Sequence, residues 1–455
     1  MLEKTFKLKE HGTNVKTEIL AGITTFLSMA YILAVNPSIL GNVMNSNGVF
    51  LATALASAIA TFIMGFLANY PIALSAGMGL NAYFAFTVCL GDLKDEPDAF
   101  RIALTAVLVE GIIFILMSFF KFREAIVNSI PRNLKYAITT GIGLFIALIG
   151  LLDAHIVVSD PDTTVAMGDL SSPTVVLSLF GFLIIALLSH YKVKGAVLYG
   201  ILITWGLGML AQLIGWYVVD PSAEMYSLIP SFADTFTFSG LGETAFKFNF
   251  SWAGDHIIQF IAIVFSFLFM DLFDTVGTVV GVADRANLLD ENGNLPKAGR
   301  VFLSDAIGTT VGACLGTSTV SSFVESSTGV AAGGRTGLTA IVTGFLFLVS
   351  IVLSPIFLAI PSFSTAPALM YVGMLMFSSC KKIEFEKDIA DTVSAYTAII
   401  MMLLTYSIAN GIMFGVMTWV ILKFFTRKSK DISPIMWAIF LLFILRIAAL
   451  ISGFL

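Results

Sequence analysis

Apolar stretches of about 20 residues recur from one end of this chain to the other, each long enough to cross ~30 Å of hydrocarbon as a helix. The polar segments between them are short, so the 455 residues form one integral bundle rather than a string of soluble domains. Composition agrees: 57% of the residues are hydrophobic and only 12% are charged. Read in order, the spans fall at 18–41, 49–69, 70–90, 99–120, 134–152, 173–190, 195–216, 256–282, 298–316, 318–336, 337–360, 364–380, 388–408 and 409–425. These fourteen membrane segments predict an all-α polytopic membrane protein. The first 17 residues are a polar tail that leads straight into a full-length span, unlike a cleavable signal peptide.

Basic residues orient the bundle. With the N-terminus in the cytoplasm, the inner segments hold 21 of the 25 Lys and Arg residues. Lys94, Arg101 and Lys247 fall outside, and Arg446 lies in a last apolar stretch. The positive-inside rule then places both termini in the cytoplasm and supports an even number of crossings in the cell membrane. The final PIMWAIFLLFILRIAALISGFL is long enough to span, but Arg446 and the charges before it favour a helix lying in the interface. A net charge of −5 without any Lys/Arg-rich block gives no reason to expect a nucleic-acid partner. The partner is the lipid bilayer. Cys89, Cys314 and Cys380 lack metal-ligand spacing and lie in or beside apolar segments, so neither disulfides nor zinc are expected.

Several acids interrupt the apolar text. Asp271 and Asp274 sit in FIAIVFSFLFMDLFDTVGTVVG, on nearly one side of a helix, because residues i and i+3 are surface neighbours. Glu325 follows in TSTVSSFVESSTGVAAGGRTG. A charge at the bilayer centre costs ~3 kcal/mol or more, so such residues face a cavity, a partner or a substrate. Capping offers a plainer role, since Ser322-Phe-Val-Glu325 fits a capping box. Glu110, in the fourth span, reads as a packing or hydrogen-bonding residue.

Two spans are not ordinary helices. Segment 70–90 starts at a proline and carries SAGMGLN, with Gly77 and Gly79 just before Asn81. Segment 318–336 is rich in Ser and Thr and then carries Gly329, Gly333 and Gly334. This composition suits extended backbone at membrane depth followed by a half-helix, which is tolerated only where protein or a cavity surrounds it. The two are third and tenth, seven apart. Seven is odd, so the second seven-segment repeat is inverted relative to the first, and paired broken spans at equivalent places mark a transporter's substrate site. In the ninth span, Gly308, Gly312 and Gly316 read instead as close helix packing.

TTFLSMAYILAVNP, PIALSAGMGLNAYFAF, FLFMDLFDTVGTVVGVA, LPKAGR and LGTSTVSSFVESSTGVAAGGRTG together resemble the AzgA-like adenine/guanine/hypoxanthine permeases. That branch belongs to the nucleobase–cation symporter (xanthine/uracil permease) superfamily, and the likeness runs from about residue 5 to about residue 450. The resemblance implies short strands in segments 3 and 10 that meet at the substrate. It implies a core domain from 18–120 (segments 1–4) and 256–360 (segments 8–11), and a gate domain from 121–255 (segments 5–7 with an external loop) and 361–425 (segments 12–14). Tails of 1–17 and 426–455 complete the chain. It further implies import of purine nucleobases by proton symport, sliding of core against gate, and a homodimer formed through the gate domain.

A purine base presents a flat edge of alternating N–H donors and acceptors. A carboxylate accepts such N–H groups through charge-assisted bonds, about twice as strong as neutral ones, and half-helix amides can serve the base's acceptors. By resemblance Asp271 and Glu325 are the carboxylates on the base, Asn81 supplies an amide, Ser326 adjoins the site, and Asp274 orients the site or a proton. Phe26, Phe269 and Phe273 are candidate stacking platforms, although 40 phenylalanines make core packing the commoner fate. Desolvation penalises the charged form of a carboxylic acid, so an acid protonated with substrate and released inside couples uptake to proton entry; Glu325 and Asp274 are the candidates. His155, His190 and His256 lie near span ends, and His11 in the tail.

Other classes fit less well. An anion exchanger would not surround its substrate with carboxylates. No filter-like repeat suggests a channel. No Ser/His, Cys/His or metal-ligand cluster accompanies the acids, so neither an enzyme, a metal nor a cofactor is expected.

Overall fold

The computed structural model of the chain describes residues 2–119, 131–219, 227–229, 240–285, 288, 296–386 and 388–451. It is a helical membrane bundle with two small sheets. The first repeat comprises α1 (Val15–Met29) continued by α2 (Ile32–Leu40), α3 (Ser46–Ile63), strand β1 (Leu74–Ala76) with half-helix α4 (Met78–Ala82), α5 (Ala99–Phe119), α6 (Arg132–Asp153), α7 (Pro173–His190) and α8 (Ala196–Leu213). A hairpin, β2 (Val157–Asp160) and β3 (Thr164–Met167), follows α6. The second repeat comprises α9 (Ile257–Arg285), α10 (Ala298–Leu315), β4 (Val320–Ser322) with α11 (Ser326–Ala331), α12 (Gly337–Ser350), α13 (Ser362–Phe377), α14 (Ile389–Leu404) and α15 (Ile408–Phe425). A last helix, α16 (Pro434–Ile451), packs back on α15.

Fourteen segments are present in the order the hydropathy predicts. Among the described residues, nine helices are long and apolar enough to cross a membrane by length and composition alone. Of the other five, segments 3 and 10 are broken into strand and half-helix, α10 carries Arg300 and Asp305, α14 has only 16 residues, and α9 supplies the shorter apolar stretch Ile257–Leu272. Side-chain oxygens start several helices, as Asn14 accepts from the Thr17 amide at 3.0 Å and Asn45 from that of Gly48 at 2.9 Å. The hairpin was not foreseen from sequence. Asp160 ties its turn together by accepting from the Thr163 amide and hydroxyl and the Asp162 amide, which holds its carboxyl below the usual range.

Helices sort into two packing groups. In one, α10 packs on α5 and α3, α12 on α1 and α3, α11 on α1, and α9 on α5. In the other, α13 packs on α6 and α7, α14 on α15 and α6, and α8 on α7. A close crossing in the second group joins α6 and α13, fifth and twelfth in order. A Cβ at Gly143 would lie 2.6 Å from the Gly373 carbonyl oxygen, and one at Gly373 would lie 2.4 Å from that of Gly143. Equivalent segments of the two repeats thus meet each other at their glycines, as small-residue helix interfaces do in membranes. In the ninth segment a Cβ at Gly308 would meet Ala60 at 2.8 Å and one at Gly312 would meet Val320 at 2.7 Å, so these two glycines are packing residues. Gly316 has a second duty: at φ +95° it ends α10 in the left-handed region.

Candidate functional site

The broken segments meet inside the first packing group. Strands β1 and β4 pair antiparallel, with Leu74 opposite Ser322, Ser75 opposite Ser321 and Ala76 opposite Val320. A ribbon of three residues a side leaves most of its backbone groups without a ladder partner, which is costly away from water. Side chains and adjoining backbone fill the gaps. Thr61 Oγ1 both donates to the Leu74 carbonyl at 3.1 Å and accepts from its amide at 3.0 Å. Thr309 donates to the Val320 carbonyl at 3.0 Å, and Asp305 accepts the Ser322 amide at 3.1 Å. The Gly77 amide reaches the Thr319 carbonyl and that of Phe323 reaches Ala73, both at 3.0 Å. Side chains of the second and ninth segments thus satisfy the strand backbone, while the tenth segment's own hydroxyls at Ser318, Thr319, Ser321 and Ser322 turn to Asn81, Glu110, Asp274 and Asp305.

Acids surround this ribbon on several sides. Ser321 Oγ donates to Asp274 at 2.8 Å, and Thr319 Oγ1 donates to Glu110 at 2.9 Å. Thr275 lies 3.1 Å from Asp271 and 2.8 Å from Asp305, and its single hydroxyl proton serves those two carboxylates in turn. Glu325 stands at the head of α11 without capping it. Its carboxylate accepts from the Tyr31 hydroxyl at 2.7 Å, while Ser322 Oγ turns to Asp305 at 3.3 Å, so the capping box does not form. Asp271, Asp305 and Glu110 are fully buried, whereas Glu325 and Asp274 keep some accessible surface and lie near enough for their charges to interact.

The remaining predicted residues fall as follows. Asn81, fully buried in α4, accepts from the Ser318 hydroxyl of the other repeat and donates to the Ala76 carbonyl at 3.4 Å, so it bridges the halves. Ser326 Oγ accepts the Ala73 amide at 3.0 Å and thereby holds α11 to β1. Phe26 packs edge-on to Phe347 at 5.4 Å, and Phe269 lies 5.9 Å from Phe265. Phe273 has its side chain outside the described residues. The structure thus brings Asn81, Asp274, Glu325 and Ser326 to the strand crossing. Asp271 joins it through Thr275 and Asp305. Sequence reasoning did not single out Tyr31, Ser318, Ser321 or Asp305. Asp305 carried a usable signal, since it is an acid inside the ninth apolar span. Among the described residues, no group of three His, Cys, Asp or Glu side chains is arranged to hold a metal ion.

Comparison with known proteins agrees with this architecture. The transmembrane domain of the cyanobacterium bicarbonate transporter BicA superposes with a TM-score of 0.66 at 15% identity, covering 88% of this chain and 97% of that one. At that identity the likeness speaks for the fold alone. The guanine/hypoxanthine permease PbuG of Bacillus subtilis is 43% identical over 97% of this chain and 98% of its own length. The adenine permease AdeP of Escherichia coli is 40% identical over 98% and 96%. The model of the xanthine/uracil permeases, described as a permease family, matches residues 16–414. With a strand crossing built by two inverted repeats, and relatives matched from end to end, this multi-pass membrane protein belongs to the nucleobase permeases of the xanthine/uracil superfamily, in the adenine/guanine/hypoxanthine branch.

Proposed function

We propose that this permease imports purine nucleobases, hypoxanthine and guanine ahead of adenine, across the cell membrane by proton symport. The observation that carries this reading is the set of carboxylates around the β1–β4 crossing, joined to relatives named as guanine/hypoxanthine and adenine permeases. Acceptors suit the N–H groups of a purine edge and repel anions. Glu325 and Asp271 accept from the base, with Asn81 and Ser326 fixing the backbone around it. Asp274, tied to Ser321 and still partly accessible, orients the site and exchanges the coupling proton with Glu325. Phe26 and Phe273 are the proposed stacking partners. The first packing group is the core domain, which moves as an elevator against the second, the gate domain; the gate also forms the homodimer interface. Both termini face the cytoplasm.

Uptake in cells lacking other carriers tests the proposal. Labelled hypoxanthine uptake is expected to be competed by guanine and adenine, little by uracil, and not by the nucleosides, whose ribose an enclosed ring edge excludes. Uptake is expected to fall as external pH rises from about 5.5 to 8 and to collapse with a protonophore, because fewer carriers then hold the proton that must enter with the base. A sodium requirement without proton dependence would overturn the coupling and spare the substrate class.

A further inference from the structure

Glu18 is a carboxylate with no exposed surface, one turn inside α1 and remote in sequence from the carboxylates around the strand crossing. It accepts four hydrogen bonds from the connection that follows α11 and the first turn of α12: the amides of Arg335 at 2.8 Å, Thr336 at 3.3 Å and Thr339 at 3.2 Å, and the Thr339 hydroxyl at 2.6 Å. Arg335 in turn donates from its guanidinium to the Val330 and Gly334 carbonyls, both at 2.7 Å, which closes the end of α11.

Half-helix α11 has six residues. So short a helix is marginal by itself and cannot fix its own direction. Helix α1 supplies the missing reference. Its residues 18, 21, 25 and 28 lie on one face at i, i+3, i+7 and i+10, and each meets the tenth segment or the connection that follows it. A Cβ at Gly329 would strike Thr25 Oγ1 and the Ala21 carbonyl, and Thr328 donates to Ser28 at 3.0 Å. One further turn brings Tyr31 to Glu325. Glu18 and Tyr31, thirteen residues or about 20 Å of helix apart, therefore grip the two ends of the element that carries Glu325.

We infer that Glu18 is a positioning residue of the nucleobase site: it sets the height and direction of α11, and so the place of the Glu325 carboxylate. This rests on the reading that Glu325 meets the base. It assigns a role in substrate affinity to a buried side chain at the opposite end of the helix from the site.

Hypoxanthine binding to the purified full-length permease tests it, with Glu18→Gln, Tyr31→Phe, their double variant and Glu325→Gln. Glu18→Gln keeps the side chain's shape but turns one acceptor oxygen into a donor that faces the Thr336 and Thr339 amides. Its hypoxanthine affinity is expected to fall about tenfold, with wild-type amounts of protein in the membrane. Residues acting through one element couple, so the double variant is expected to lose far less than the product of the single losses. A structural cap that serves only α12 would lower protein yield and give independent, multiplicative effects on binding. Unchanged affinity in Glu18→Gln, or multiplicative losses, would overturn the inference. If Glu18→Gln does not accumulate, Thr339→Val removes one donor to the same carboxylate and is expected to shift affinity in the same direction; wild-type affinity there overturns the inference equally. Glu325→Gln separates the two readings. If it alone abolishes binding while Glu18→Gln binds normally, the positioning role fails and the substrate site stands. If it binds like wild type, both fall.

Discussion

Asp271 and Asp274 differ by one helical step and by their surroundings, and that difference sorts their roles. Asp271 is fully buried with Thr275 at 3.1 Å, whereas Asp274 is held by Ser321 of β4 and keeps accessible surface. Asp271→Asn, nearly isosteric, replaces an acceptor with a donor and is expected to abolish base uptake while the protein remains in the membrane. Asp274→Asn is expected to slow turnover more than it weakens binding, measured as purine affinity of purified protein against initial uptake rates. Normal binding by Asp271→Asn would pass the base contact to Asp274. The existence of both acids was legible, because a carboxylate inside an apolar helix stands out by its cost. Their partners were not. The hydroxyl on Glu325 comes from Tyr31, 294 residues away, and nothing local in either segment encodes that pairing.

Elements show the same division between what local pattern dictates and what packing decides. Glycines beside Asn81 and in the tenth segment announced broken spans, yet the β1–β4 register depends on Thr61, Thr309 and Asp305 from two other segments. Two glycines make this testable. Gly333 has φ +105° and a Cβ there would lie 2.6 Å from Thr17, so Gly333→Ala is strained twice over. Gly312→Ala keeps an ordinary helical backbone and meets the Val320 side chain at 2.7 Å, the Ser318 carbonyl at 3.1 Å and the Thr317 side chain at 3.3 Å. Uptake is expected to fall partly in Gly312→Ala, more in Gly333→Ala, and to vanish when Leu occupies either position; full activity with Leu would refute tight packing at β4. A second element-scale device lies where the start of α14 meets the end of α15. Asp388 accepts from Lys428 at 2.7 Å and Lys423 at 2.9 Å, and Lys423 is only 7% exposed. The Lys428 bond, with those of Lys423 and the Ala390 amide, holds the Asp388 carboxyl well below the usual range against the cost of its burial. A lowered pKa gives stability that is complete above the unfolded value near ~4 and is lost as pH falls through the folded value. Thermal unfolding in detergent is therefore expected to show no contribution from this group to any change between neutral and mildly acidic pH. Asp388→Asn is expected to cost about 3 kcal/mol at pH 7, since Lys423 would be left buried without its nearest partner.

At the scale of the whole molecule, the seven-plus-seven count was readable because membrane thickness fixes segment length and basic residues fix orientation. How the two packing groups meet was not, since it depends on surface fit between distant segments. Among the described residues, the polar contacts between the groups include long ones: Lys194 to Thr24 at 3.3 Å, Thr365 to Ser38 at 3.5 Å, and Thr87 to the Tyr406 carbonyl at 3.5 Å. Bonds within the first group are shorter and more numerous around the strands, so the weak seam is where an elevator would slide. One approach is close enough to lock. A Cβ built on Gly195, in the α7–α8 connection, lies 3.3 Å from the Leu27 Cβ of α1, near the ~3.5–4.5 Å that a disulfide spans. Gly195→Cys must accept φ +75°, a cost of about 1 kcal/mol, and its Cβ would lie 2.8 Å from the Leu27 carbonyl oxygen, so the connection must also shift slightly away from α1. In a background with Cys89, Cys314 and Cys380 replaced, the Leu27→Cys/Gly195→Cys pair is expected to transport when reduced. Oxidation should stop uptake while purine binding persists, because the proposed base contacts all belong to the first group and the cross-link would block only its movement against the second. Reductant should restore uptake. Undiminished transport by fully oxidised protein would show that the two groups need not slide at this seam, and would rule out the elevator movement as drawn here.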